Sequence, residues 1–168
     1  NYKKAFEMYK KAGDKGEKIS QYNLGIMYDK GDGVKQDYEK TFKYHKQAAE
    51  QGDKEAQYNL ATSYYEGLGV KQNYKKALEW IQKAAEQGDA KAQYNLALLY
   101  LNGEGVKQDY KKAIKYFKQA AEQGDKDAQF NLGIMYHNGD GVKQDYKEAF
   151  EYFKQAAEQG YKRAQYNL

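Results

Sequence analysis

The chain has no cysteine and no proline, one tryptophan, two histidines and two serines among its 168 residues. Each scarcity removes a class of explanation. Without cysteine no disulfide can staple the fold, so its order has to come from packing, and either redox compartment is open to it. His45 and His137 are too few for a clustered metal site. Neither Ser20 nor Ser63 opens the S-x-x-K pattern of a penicillin-recognising serine enzyme, so no hydroxyl nucleophile has a visible base and the chain reads as not an enzyme. No apolar run approaches the 18 residues a membrane helix needs, and no basic-then-apolar leader opens the sequence, so neither membrane insertion nor an export signal is expected. Charge of one sign never accumulates: 28 basic and 24 acidic side chains are interleaved to a net +4, the pattern of a solvated surface and not of a nucleic-acid footprint.

Aromatic residues, by contrast, are abundant, with 19 tyrosines, and they recur at a regular spacing that separates this chain from a disordered one. The spacing belongs to a phrase of 36 residues, complete from Asp89 to Gly124, repeated from Asp53 and from Asp125, degraded from Glu17 and cut short after Tyr161. Self-similarity at such a period marks a solenoid, in which each helical hairpin buries its apolar face only by stacking on its neighbours. The expected fold is all-α: a right-handed α/α superhelical solenoid of about four and a half helix-turn-helix repeats. It forms a single domain over 1–168, with units 1–16 (a lone second helix), 17–52, 53–88, 89–124, 125–160 and 161–168 (a partial first helix). The first residue falls at the start of a helix and the last within one, as in a piece excised from a longer array.

Within each unit, apolar residues at spacings of three and four predict two helices. The lone helix is expected from Asn1 to Lys15, ended by Gly16. First-type helices are predicted from about Lys18 to Lys30 and after Asp53, Asp89 and Asp125. Second-type helices are predicted from Tyr38, Tyr74, Tyr110 and Tyr146 up to Gly52, Gly88, Gly124 and Gly160. Counting both ends gives ten, the last truncated at Leu168. Asp37, Asn73, Asp109 and Asp145 are predicted to cap the second-type helices. Val34, Val70, Val106 and Val142 would plug the gap behind the turn. Ala48, Ala84, Ala120 and Ala156, with Gly25, Ala61, Ala97 and Gly133, allow close backbone approach, while leucines and tyrosines fill the holes. His45 stands in the slot of Phe117 and Phe153 and is expected to be a packing residue.

Two motifs imitate ligand sites. Gly31-Asp32-Gly33 and its counterparts lack the third glycine, the Lys-Ser/Thr and the preceding strand of a phosphate loop; a helix end and tight turn explain them. Asn138, Asp140 and Gly141 match part of a calcium loop, but Tyr136 and Lys147 would occupy positions that need carboxylates. No cofactor and no metal is expected.

The residues AQYNLxxxY, followed by G-x-G-V-x-Q-[DN]-Y-x-K-A and AAEQG, resemble the Sel-one-like repeat (SLR) family, a branch of the tetratricopeptide-like α/α solenoids, over essentially the whole chain. The related L-G-x2-Y pattern is met at Leu24–Tyr28 and Leu132–Tyr136, and its A-x3-F at Ala113–Phe117 and Ala149–Phe153. The unit is two residues longer than that repeat, lacks its proline, and has Gln57, Gln93 and Gln129 in place of its tryptophan. The resemblance implies a non-catalytic scaffold or adaptor for protein–protein interaction; many such proteins are bacterial and exported. The alternative it carries is a binder of β-lactams or cell-wall fragments with at most weak β-lactamase activity, as in cysteine-rich relatives. The compartment stays open: cytoplasmic or, if a parent chain carried a signal peptide, periplasmic or secreted.

By analogy with tetratricopeptide grooves, the exposed inner positions would be Tyr58, Asn59, Thr62, Tyr65 and Glu66; Tyr94, Asn95, Leu98, Leu101 and Asn102; and Phe130, Asn131, Ile134, His137 and Asn138. The partner would be a protein or peptide. The asparagines resemble those that clamp a bound peptide, or else they link adjacent repeats. The slot of Asp29, Tyr65, Leu101 and His137 changes chemistry in every repeat, as does that of Asp32, Leu68, Glu104 and Asp140. Head-to-tail self-association through the uncapped ends is a further expectation.

Overall fold

The computed structural model describes residues 1–166, so the expected helix end at Leu168 lies outside the described residues. Ten helices are described: α1 (Tyr2–Gly13), α2 (Lys18–Lys30), α3 (Tyr38–Glu50), α4 (Lys54–Glu66), α5 (Tyr74–Glu86), α6 (Ala90–Asn102), α7 (Tyr110–Glu122), α8 (Lys126–Asn138), α9 (Tyr146–Glu158) and α10 (Lys162–Gln165). The chain divides into two compact units, Asn1–Gln87 and Gly88–Leu168. In each unit, helices consecutive in sequence pack against each other, from α1 to α5 and from α6 to α10.

Local chemistry accounts for the boundaries. Asp53, Asp89 and Asp125 accept hydrogen bonds from the backbone N–H three residues on, at 2.9, 2.7 and 2.8 Å. Asp37, Asn73 and Asp109 do the same for α3, α5 and α7 at 3.0 Å, and Asp145 caps α9. These acceptors satisfy N–H groups that the first turn leaves without partners, and replacing Asp53 by alanine should cost about 1 kcal/mol. The first-type helices end on Gly31, Gly67, Gly103 and Gly139, each in the left-handed conformation. Helix α1 stops three residues before Gly16, because its last turn tightens into Gly16 N–H to Gly13 O and Glu17 N–H to Ala12 O.

The turn that follows each first-type helix is closed twice. The backbone N–H of Asp37, Asn73, Asp109 and Asp145 donates to the carbonyl of Tyr28, Tyr64, Tyr100 and Tyr136 at 2.8–3.0 Å. The side-chain amide of Gln36, Gln72, Gln108 and Gln144 donates to the carbonyl of Asp29, Tyr65, Leu101 and His137 at 2.6–2.8 Å. The second glycine of the turn is required for a different reason than the first. At Gly69 a Cβ would overlap the carbonyl of Tyr38, so this turn sits directly on the start of α3 and no side chain fits between them.

The core is built from Leu24 and Leu60 in the first unit and Leu96 and Leu132 in the second, all fully buried, beside Ala48, Ala84, Ala120 and Ala156. Stacked tyrosines join the two helices of a hairpin: Tyr28 with Tyr44, Tyr100 with Tyr116 and Tyr136 with Tyr152, at centroid distances of 5.6–6.0 Å. Lysine ammonium groups lie over the rings, Lys40 over Tyr28, Lys76 over Tyr64 and Lys112 over Tyr100, at 4.9–5.3 Å from the ring centroids. Each cation meets the negative face of the ring, so charged side chains border the aromatic part of the core. Val34 and Val70 pack against these clusters.

His45 is buried at 3% exposure, as its place in the phenylalanine slot requires. Its Nε2 lies 3.5 Å from Asn59 Nδ2, and its Nδ1 has no hydrogen-bond partner among the described residues. Burial pushes its pKa down to about 4, so the ring is neutral at pH 7.

Candidate partner-binding face

The repeated polar residues are largely occupied in holding the repeats together. Gln21, Gln57 and Gln129 are buried. Their amides donate to the carbonyls of Gly13, Ala49 and Ala121, eight residues earlier, at 3.1, 3.2 and 3.4 Å. Their side-chain oxygens accept from Gln51, Gln87 and Gln159, thirty residues later, at 2.7–2.8 Å, and Gln93 accepts from Gln123 in the same way. Gln21, Gln57 and Gln129 thus each join the end of the preceding second-type helix to the end of their own repeat. Sequence reasoning noted these glutamines only as replacing a tryptophan. The signal was present in the pairing of A-Q-Y/F-N with A-E-Q-G at fixed separation.

The proposed inner positions differ in how far they are free. Asn95 and Asn131 donate to the carbonyls of Lys91 and Asp127, one turn back in their own helices, at 2.9 and 2.8 Å. Asn131 also works on Tyr94 of the neighbouring repeat, favouring the ionised form of its hydroxyl. The Tyr94 hydroxyl is held above its ordinary pKa, chiefly by burial and then by Asp127 and Asp125. Asn59 faces His45, and Thr62 donates to the carbonyl of Tyr58 at 3.2 Å. Leu98 and Ile134 are half-buried. Phe130 corrects the expectation of exposure. It is only 6% exposed, because Phe153 and Tyr161 cover it at ring distances of 5.6 and 5.1 Å.

The exposed members gather at the C-terminal ends of the first-type helices. Glu66, Asn102 and Asn138 are exposed, and the last two donate to Glu104 and Asp140 in the following turn. Tyr65, 37% exposed, meets Tyr74 edge to face at 5.3 Å, and His137 meets Tyr146 in the same way at 5.2 Å. Leu101 is half-buried at the equivalent place. Among the described residues no group of three or more His, Cys, Asp or Glu is placed to hold a metal ion, and no helix is long and apolar enough to cross a membrane.

Helical hairpins repeated every 36 residues and joined by a buried glutamine network define an all-α repeat protein of the α/α solenoid class. The chain belongs to the Sel1 repeat family, whose model matches residues 1–17, 18–53, 54–89, 90–125 and 126–161. Among solved structures it is similar to a Sel1 repeat protein from Oxalobacter formigenes, at 36% identity and a TM-score of 0.88, covering 98% of this chain and 65% of that one. A protective antigen of uropathogenic Escherichia coli displaying an SLR fold matches at 36% identity and a TM-score of 0.57 over 100% of this chain and 44% of its own. Helicobacter pylori cysteine rich protein B matches at 28% identity and 0.63, over 80% and 97%. The chain therefore spans less than two thirds of the length of the first two. No curated protein sequence matches it significantly. Proteins of this family are in general non-catalytic scaffolds for protein interaction.

Proposed function

We propose that this chain holds a peptide segment or partner protein on the face that an α/α solenoid builds from its first-type helices, α2 and α4 in the first unit and α6 and α8 in the second. One observation carries the reading. At Asp29, Tyr65, Leu101 and His137 the backbone carbonyl is held by the same glutamine clamp in every repeat, while the side chain is acidic, aromatic, aliphatic and imidazole in turn. A fixed backbone that presents a different side chain at each step suits recognition, because the frame is ordered before the partner arrives. Packing accounts for the rest of the repeat, including Phe130 and the buried glutamines, which makes these ends the places where identity is free to vary.

The test is titration of candidate partner segments into Tyr65→Ala and Leu101→Ala variants. Truncating an aromatic or aliphatic anchor at an interface typically costs about 1–2 kcal/mol, so each change should weaken binding roughly 5- to 30-fold. Unchanged affinity in both variants would move the contact off these positions.

A further inference from the structure

The hairpin end of the second repeat differs in charge from the other three. Between Gly67 and Leu78 there is no carboxylate, while Lys71, Lys75 and Lys76 are all exposed. The matching stretches elsewhere carry Asp32, Asp37 and Glu39, then Glu104 and Asp109, then Asp140, Asp145 and Glu148. The cap residue accounts for part of the contrast. Lys40 is paired with the Asp37 carboxylate at 3.2 Å and Lys112 with Asp109 at 4.0 Å, but Lys76 follows a neutral cap, Asn73. Among the described residues Lys76 has no ion pair, and it lies over the Tyr64 ring at 5.3 Å.

Apolar residues share this stretch. Tyr65 and Tyr74 form an edge-to-face pair at 37% and 47% exposure, and the half-exposed turn residue between them in sequence is Leu68, where the other repeats have Asp or Glu. Gln72 fixes both tyrosines, donating to the Tyr65 carbonyl at 2.7 Å and to the Tyr74 hydroxyl at 3.0 Å. Gly69 seats the turn on the start of α3, so the platform does not need to be ordered by its ligand. Exposed carboxylates flank the stretch: Glu66 precedes it and Glu79 follows it in sequence, and Glu39 follows the Tyr38 carbonyl on which the turn rests.

We infer that the 65–76 hairpin end docks an acidic peptide segment carrying one aromatic or aliphatic side chain, the carboxylates meeting Lys71, Lys75 and Lys76 and the apolar group lying on Tyr65, Leu68 and Tyr74. Charge complementarity selects the partner's sign, and the patch is one hairpin wide with carboxylates around it. A nucleic-acid backbone, which needs continued positive charge along its track, would run into those carboxylates. This inference rests on the scaffold reading and assigns a partner class to one end of its surface.

The probe is a fluorescein-labelled 12-residue Glu/Asp peptide with one central Phe, followed by anisotropy at about 0.05 and 0.2 M salt. Its controls are the same peptide with Gln/Asn for Glu/Asp, and a dT12 oligonucleotide. The acidic peptide should bind, and the amide peptide at least about 10-fold more weakly. The triple variant Lys71→Glu, Lys75→Glu, Lys76→Glu should lose at least about 10-fold, with circular dichroism confirming an intact helical fold, and Tyr74→Ala about 3- to 10-fold. Lys15→Glu, at an exposed lysine outside this stretch and outside the proposed recognition positions, should leave this probe unaffected. Equal binding by the triple variant, or dT12 binding more tightly than the peptide, overturns the inference. If the peptide fails while partner binding still depends on Leu101, the scaffold reading stands and only this assignment falls.

Discussion

Gly25 and His45 face each other in the first unit as Gly133 and Phe153 do in the second, and in both places a methyl group on the glycine would collide with the ring. A second aromatic residue completes each pocket, Tyr22 at 5.9 Å from the His45 ring and Phe130 at 5.6 Å from the Phe153 ring. The backbone therefore accepts either ring at the same cost in space, but not in polarity. Phe153 brings no atom that needs a partner, whereas His45 has an unpaired buried Nδ1 and a second nitrogen only 3.5 Å from an asparagine amide. Shape decides whether the hairpin forms, and the hydrogen-bond balance decides how stable it is.

The harshest way to break the comparison is to put the imidazole where the phenyl is. Phe153→His should destabilise the protein by about 2–4 kcal/mol in urea unfolding, since it removes apolar contact and buries an imidazole in an apolar pocket. A cost below 1 kcal/mol would mean that the second pocket admits water. Next in size is a position where the two units use the same residue. Gln21→Leu and Gln129→Leu each remove the side-chain donor to a carbonyl, at Gly13 and Ala121, and the acceptor of the Gln51 or Gln159 amide, and should each cost about 1–3 kcal/mol. Agreement between the two within about 1 kcal/mol would show that equal residues give equal energies in both units. A large disparity would show that the glutamine network is not the common joint.

His45→Phe sharpens the comparison from the other side. It removes the unpaired nitrogen and should stabilise the protein at pH 7 by about 1 kcal/mol. Its clearer readout is pH dependence. The His45 pKa is lowered from an ordinary 6.5 to about 4, so between those values the unfolded chain holds a proton that the folded chain excludes. Stability is then fully present above pH 6.5 and is lost as pH falls toward 4, with a slope of at most about 1.4 kcal/mol per pH unit. Burial is the cause of the shift. The Phe variant should have a flat stability profile across that window. Glu17, Asp14 and Asp37, whose hydrogen bonds hold their pKa values below the ordinary carboxylate range, lose their contribution only in more acid solution.

These contrasts show which features a sequence can reveal. Limits of the helices from α2 to α9 were legible because they are written in one residue type, an acid or asparagine at the start and glycine at or just past the end, whereas α1 stops short of Gly16 and α10 starts after Tyr161 without a side-chain cap. The phenylalanine slot exposed His45 as a packing residue through periodicity alone. The glutamine network was not legible, since a buried polar residue is recognised only with its partners, and those lie eight residues back and thirty ahead. Nor was the burial of Phe130, which depends on Phe153 of α9 and on Tyr161, the residue before α10, covering it. Asparagines that look like peptide clamps bond backward to carbonyls of their own helix, a competing use that short amide side chains always have.

The smallest expected effect tests the contrast between hairpin ends. Asn73→Asp gives the second repeat the cap of its neighbours, Asp37 and Asp109, and places a carboxylate beside Lys76. Both residues accept the same backbone hydrogen bond, so the change adds only charge near a helix start, in water. It should raise Tm by no more than about 2 °C and do so less at high salt. The same change adds one negative charge beside a patch of three lysines, so binding of an acidic peptide should weaken by about 2- to 5-fold. A stability gain with no loss of binding would place the peptide elsewhere. Loss of both would mean that Asn73 supports the turn through its amide N–H2 and not through the capping oxygen alone.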